Sequence, residues 1–118
     1  MKVPSFMLKK LYQKGSLKNT EGGYHLVIKN NLMDATVTKM SLTMDNSPVP
    51  VDKITIAAGD VTVPAAEISA SNTVPLKVGV EVTLSVEDAA LSPGEHTLGI
   101  GATTKEFGDL DFSVTDSL

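Results

Sequence analysis

The chain has no cysteine, no arginine and no tryptophan, and aromatic residues make up only 4% of it. Without cysteine there are no disulfides, no thiolate nucleophile and no sulfur ligands for a metal. That absence fits a reducing compartment, and a cytoplasmic protein is the expectation. Without arginine the chain lacks the best bidentate reader of phosphate and guanine. A formal charge of −4 also repels a phosphate backbone, so no nucleic-acid partner is expected. With so few aromatics, a core has to be built from Val, Leu, Ile, Met and Ala. No apolar run approaches a membrane span or a signal-peptide core. There is no Asn-x-Ser/Thr sequon, because Asn46-Ser47 is followed by Pro48.

The charge is unevenly placed. All ten basic residues are lysine, and Lys2, Lys9, Lys10, Lys14 and Lys18 all precede the first acid, Glu21. The remaining body carries five lysines against fourteen acids. A basic arm on an acidic body folds back on it or reaches a partner. The arm begins with the basic segment 1–10. Val3, Met7 and Leu11 share a helical spacing there, so a short helical turn after Pro4 competes with an extended lead-in. Attachment to a membrane surface is a third use for such an arm. It requires a longer, cleaner amphipathic moment than this one, and no membrane partner is expected.

Alternation is what the sequence has in abundance. From Val74 to Val86 every even position is Val or Leu, and the odd positions between are Pro, Lys, Gly, Glu, Thr and Ser. A period of two places one set on each face of a strand. Pro75 donates no ladder bond, which predicts that the paired portion starts near Lys77. The same period marks Tyr24/Leu26/Ile28, Met40/Leu42/Met44, Leu98/Ile100 and Leu110/Phe112/Val114. Asn19–Gly23, Asp45–Pro48, Ala58–Asp60 and Thr104–Gly108 read as turns between strands, and Pro93-Gly94 suits a type II turn. Residues 64–73 hold either one helical turn near Ala65–Ile68 or a plain crossover. A chain of 118 residues is expected to form one domain, residues 1–118. The fold class expected is all-β: an immunoglobulin-like antiparallel β-sandwich of about seven to eight strands, with an up-and-down barrel as the alternative.

Two resemblances bear on this. The segment Leu91-Ser92-Pro93-Gly94-Glu95-His96-Thr97-Leu98 resembles the corner before the F strand of immunoglobulin-like and fibronectin-like domains. There an aromatic ring bonds back to nearby backbone. The resemblance implies that His96 holds the ring position, with Val74–Val86 as strand E, His96–Thr103 as F and Leu110–Thr115 as G. The Cys–Trp–Cys set of antibody domains is missing. The whole chain, from MKVPSFMLKKLY through GSLKNTEGG and the LSPGEHTL corner to TKEFGDLDFSVTD, is similar to a small family of short prokaryotic, mainly archaeal proteins of unknown function. Some of these carry the label hydroxymethylglutaryl-CoA reductase. Such a reductase implies a nicotinamide site and a catalytic Lys, Asp, Glu and His set on a far longer chain. No Gly-x-Gly-x-x-Gly loop between a strand and a helix is present.

Candidate chemistry is sparse. His25 and His96 are the only histidines. Neither has a neighbour at metal-ligand spacing, and either is a general base only with a partner brought by the fold. Asp109 and Asp111 flank Leu110 and share the outer face of the last strand. As a pair they are candidate metal ligands, and the plainer reading is a charged face that keeps a terminal strand soluble. No serine stands in a nucleophile elbow. Gly99 and Gly101 alternate with Leu98 and Ile100, which lets another backbone or side chain approach. No catalytic residue and no cofactor is expected. The leading functional expectation is a non-catalytic interaction or accessory module acting through a protein partner or self-association. The alternative is a small-molecule binder or enzyme, with a pocket near His25, His96 or the Asp109/Asp111 pair at one end of the sandwich.

Overall fold

A computed structural model describes residues 3–118, so Lys2 of the basic arm lies outside the described residues. The chain opens with a one-turn helix α1 (Ser5–Leu8) that runs into a 3-10 turn over Lys9–Leu11. Ten strands follow: β1 (Lys18–Thr20), β2 (Gly23–Lys29), β3 (Ala35–Met44), β4 (Ser47–Pro48), β5 (Ile54–Ala58), β6 (Val61–Pro64), β7 (Val74–Leu76), β8 (Glu81–Glu87), β9 (Glu95–Thr104) and β10 (Gly108–Ser117). Further 3-10 turns cover Val51–Lys53 and Ala65–Glu67. The strands form two antiparallel sheets. One has the order β1-β2-β8-β5-β6; the other has β10-β9-β3-β4, with β7 also paired to β3. The result is an all-β sandwich.

Alternation decides which side chains lie between the sheets. Leu26, Met40, Leu42, Ile54, Ile56, Val82, Leu84, Leu98 and Ile100 are all buried. The predicted inner faces of β2, β3 and β9 are the observed ones. In β3 the parity switches once, because the ladder with β9 slips between Val37 and Lys39. An extra residue in one strand returns the next side chain to the same face. Val37 and Met40 therefore both point inward, an odd and an even position.

The stretch Val74–Val86 is not one strand, and its paired part does not begin at Lys77. Val74–Leu76 pairs with Ala35–Val37 in the second sheet. Glu81–Glu87 runs between β2 and β5 in the first. The chain crosses between sheets in a turn closed by the Val80 N–H on the Lys77 carbonyl at 3.1 Å. Gly79 takes φ +92°, a conformation that L side chains rarely adopt. The turn is anchored from outside: the Gly79 N–H donates to the Asn30 carbonyl at 2.7 Å, and the Asn30 N–H donates to the Val80 carbonyl at 3.0 Å. Pro75 fits because β7 lies on an edge of its sheet, where a missing donor need not break a ladder. The apolar parity runs unbroken through the turn, yet Val78 is 56% exposed.

The basic arm folds back onto the body. The Met7 and Leu8 N–H groups donate to the Pro4 carbonyl, which closes the helical turn. Proline at the start of a helix gives up only a donor that would be orphaned there. Tyr12 then bridges to Ile28, and the Gln13 N–H donates to the Val27 carbonyl at 3.0 Å. The arm thus runs along the β2 side of the first sheet while α1 rests against β10 of the second. Leu8 is buried between them.

Candidate functional site

Two of the buried polar side chains, His96 and Asp116, lie at the end where β9 begins and β10 finishes. The β3–β4 hairpin has a two-residue tip, Asp45-Asn46, with φ of +52° and +69°. Positive φ at both centres is the requirement of a type I′ turn, and Asp and Asn tolerate it better than most residues. The tip places the Asp45 carboxylate at the start of β9. Oδ1 accepts from the Thr97 N–H at 2.9 Å, and Oδ2 lies 2.7 Å from His96 Nδ1. The other ring nitrogen, Nε2, is 2.7 Å from the Ser92 carbonyl oxygen. So the ring does reach back to the backbone before the strand, as the corner resemblance implies.

Both nitrogens of His96 face acceptors, and a neutral imidazole has only one N–H to offer. The protonated ring satisfies both. The Ser92 carbonyl, and then the Asp45 carboxylate, raise its pKa above the ordinary 6.5 in spite of its burial. Asp45 is held below the usual carboxylate range by the Thr97 N–H and the imidazole. The pair is an ion-paired latch between a hairpin and a strand.

Opposite His96 in the β9–β10 ladder stands Asp116. It is only 3% exposed, so the described core contains a second buried polar centre. Its Oδ2 accepts from the Tyr12 hydroxyl at 2.6 Å, the Gly15 N–H at 2.9 Å and the Leu17 N–H at 3.4 Å. Its Oδ1 accepts from the Ser117 N–H at 2.8 Å. Burial pushes the Asp116 carboxyl up, but these donors outweigh it and leave the net shift downward. Burial, and then the bond to that carboxylate, push the Tyr12 hydroxyl well up. The Lys14 ammonium adds a contact to the Thr115 carbonyl at 2.9 Å. Asp116 is therefore the anchor of the arm. The sequence carried a signal for it: it continues the inward series Leu110, Phe112, Val114.

The candidates named from sequence do not converge. His25 is half-buried on the outer side of β2, across from Lys18 and Ser85, in the other sheet from His96. Asp109 and Asp111 are exposed on the outer face of β10. Asp109 accepts from the Thr103 hydroxyl at 2.7 Å, a cross-strand bond. Among the described residues, no group of three or more His, Cys, Asp and Glu side chains is placed to hold a metal ion.

Concave space lies elsewhere. Beneath α1, between the two sheets, is an apolar cavity of about 140 Å³ walled by Met7, Leu8, Ile28, Ile100, Ala102 and Phe112, among others. None of His25, His96, Asp109 and Asp111 reaches it. A wider, open groove of about 420 Å³ runs between Lys9 and Lys14 on the arm and Thr97, Ser113 and Thr115 on the second sheet. Its cationic walls are long exposed side chains, which hold a ligand less firmly than a fixed frame. The apolar cavity is the better-defined site.

The fold and these sites define a β-sandwich domain with buried polar latches at one end and an apolar chamber under its N-terminal arm. The chain belongs to the family described as Hydroxymethylglutaryl-CoA reductase, N-terminal domain, which matches residues 7–118. That family description coincides with the reductase label carried by the proteins the chain resembles. Comparison with curated proteins finds no match.

Proposed function

We propose that this chain is a non-catalytic accessory module of a larger assembly, acting through protein–protein contact at the β6 edge of its first sheet. The observation that carries this reading is the contrast among the sheet edges. β1 is Lys-Asn-Thr and β4 is Ser-Pro, whereas β10 has α1 resting against it. β6 reads Val-Thr-Val-Pro, ends the first sheet, and leaves Val61 41% exposed. Val51, on the 3-10 turn that contacts β6, is 40% exposed. An edge strand with uncovered valines accepts a partner strand or apolar segment. Pro64 and the strand's short length limit how far such a ladder extends, so apolar contact supplies most of the binding.

The family's description, an N-terminal domain of a reductase, fits a part that serves a larger protein. A single domain over residues 1–118 agrees with a radius of gyration of 13.3 Å, near the roughly 13.5 Å of a compact chain this long. The strand orders β1-β2-β8-β5 and β10-β9-β3 support an immunoglobulin-like reading, in the places of A-B-E-D and G-F-C. On that reading strand E is Glu81–Glu87 alone. Among the described residues, no helix is long and apolar enough to cross a membrane.

Size-exclusion chromatography with light scattering, together with retrieval of partners from lysate, tests the proposal. The wild type should form a dimer or a complex that Val61→Lys and Val51→Lys abolish without changing the circular dichroism spectrum. A strict monomer that retrieves no partner overturns it.

A further inference from the structure

We infer that the cavity beneath α1 is a binding site for a small hydrocarbon group, an alkyl or aryl moiety of about six carbons. This site is separate from the β6 edge and independent of the interaction reading.

Size is the first ground. The cavity holds about 140 Å³. An engineered cavity of about 150 Å³, lined by Leu, Ile and Phe, stays dry and binds benzene. Here the walls are of the same kind, with Leu8, Ile28, Ile100 and Phe112 among them.

Polar satisfaction is the second ground. Asn30 and Thr104 reach the lining, but their polar atoms are already used. The Asn30 amide donates to the Met33 and Leu76 carbonyls, both at 2.9 Å, and its oxygen accepts from the Leu32 N–H at 3.2 Å. The Thr104 hydroxyl donates to the Gly108 carbonyl at 3.2 Å and accepts from the Phe107 N–H at 2.9 Å. A water in the chamber would need two to four polar partners. A hydrocarbon needs none. Lys29 is the one ionisable side chain on the described lining, and Met33, 43% exposed, is also part of it. The polar end of a longer ligand would leave past these two.

The third ground is the cover. α1 is four residues long, follows Pro4 without a side-chain cap, and has no acid in its first turn. A helix this short has little stability of its own and is held by packing of its apolar side chains. Such a cover opens at lower cost than the sandwich it closes, which gives an apolar ligand a way in.

Methyl-labelled protein titrated with benzene and with hexanol tests the site by NMR. Saturable shifts should be confined to Leu8, Ile28 and Ile100, with a dissociation constant on the order of 0.1–1 mM for six or seven heavy atoms. Ala102→Leu and Ala35→Leu fill the chamber from two different strands. Whichever variant keeps a cooperative melt should lose those shifts. Absence of saturable shifts in the wild type, or shifts scattered over the outer faces, overturns the inference. So does unchanged binding in a folded filled variant.

Discussion

At the scale of single residues, one polar centre ties the N-terminal arm to β10 and another ties the β3–β4 hairpin to β9, and they respond to pH in opposite senses. Asp116 has a depressed pKa, so its stabilisation is present above the carboxylate's unfolded value near 4 and is lost as pH falls through the folded value. His96 has a raised pKa. Its stabilisation is complete below the unfolded value near 6.5 and is lost as pH rises through the folded value. Melting temperature should therefore decline as pH rises above about 6.5. In Asp45→Asn, which removes the second cause of the shift, that decline should weaken. Proton NMR of His96 supplies a direct check: a midpoint at or below 6.5 contradicts the latch. Asp116→Ala removes the acceptor of the Tyr12 hydroxyl and of three backbone N–H groups, and it should cost about 3 kcal/mol in denaturant titration. Tyr12→Phe, which leaves the other donors in place, should cost about half as much. Asp116 was legible in principle, since it extends the inward parity of Leu110, Phe112 and Val114. Its charge alone argues for the surface, and only the period argues for the interior. His96 was legible through its corner, but its carboxylate partner was not. Asp45 lies 51 residues away, and no local spacing encodes that approach.

At the scale of elements, the sequence was clearest where strands are long and covered on one face. β2, β3 and β9 show this: their valines, leucines, isoleucines and methionines alternate and are buried in alternation. It misled where apolar parity and backbone direction separate. Leu76, Val78 and Val80 continue the even series through a turn, and only Gly79 hints that the chain reverses there. A glycine inside an alternating run marks either a bulge or a turn, and period alone does not choose between them. Gly23 shows a different demand, for space. A Cβ there would overlap the Val86 carbonyl oxygen, which belongs to the neighbouring strand and is fixed by its ladder. At Gly22, one residue earlier, a Cβ would meet nothing within 4 Å. Gly23→Ala should therefore separate β2 from β8 and destabilise by about 3 kcal/mol, whereas Gly22→Ala should change stability by less than about 1 kcal/mol. Equal melting temperatures for the two variants would contradict the proposed close approach.

At the scale of the whole molecule, the basic arm is a structural part of the sandwich as well as a charge on it. Two sheets packed face to face leave their flanks open, and the flank between β2 and β10 is where the arm lies. The arm's contribution is apolar at its centre, with Leu8 buried and Met7 and Leu11 on the cavity wall. It is polar at its return, where Tyr12 and Gly15 bind Asp116. Burying a leucine-sized side chain stabilises by about 2–3 kcal/mol, and the Asp116 bonds add to that. Removing residues 1–11 deletes the apolar part and leaves Tyr12 in place. Such a truncation should keep its β-sheet circular dichroism, melt at lower temperature, and bind the dye ANS at the bared chamber. Leu8→Asp should reproduce the dye binding with the chain at full length, since a carboxylate does not stay in that apolar site. If the truncated protein melts as the wild type does and takes up no dye, the flank is closed by the sheets themselves. In that case the arm is free for a partner, as its lysines alone would allow.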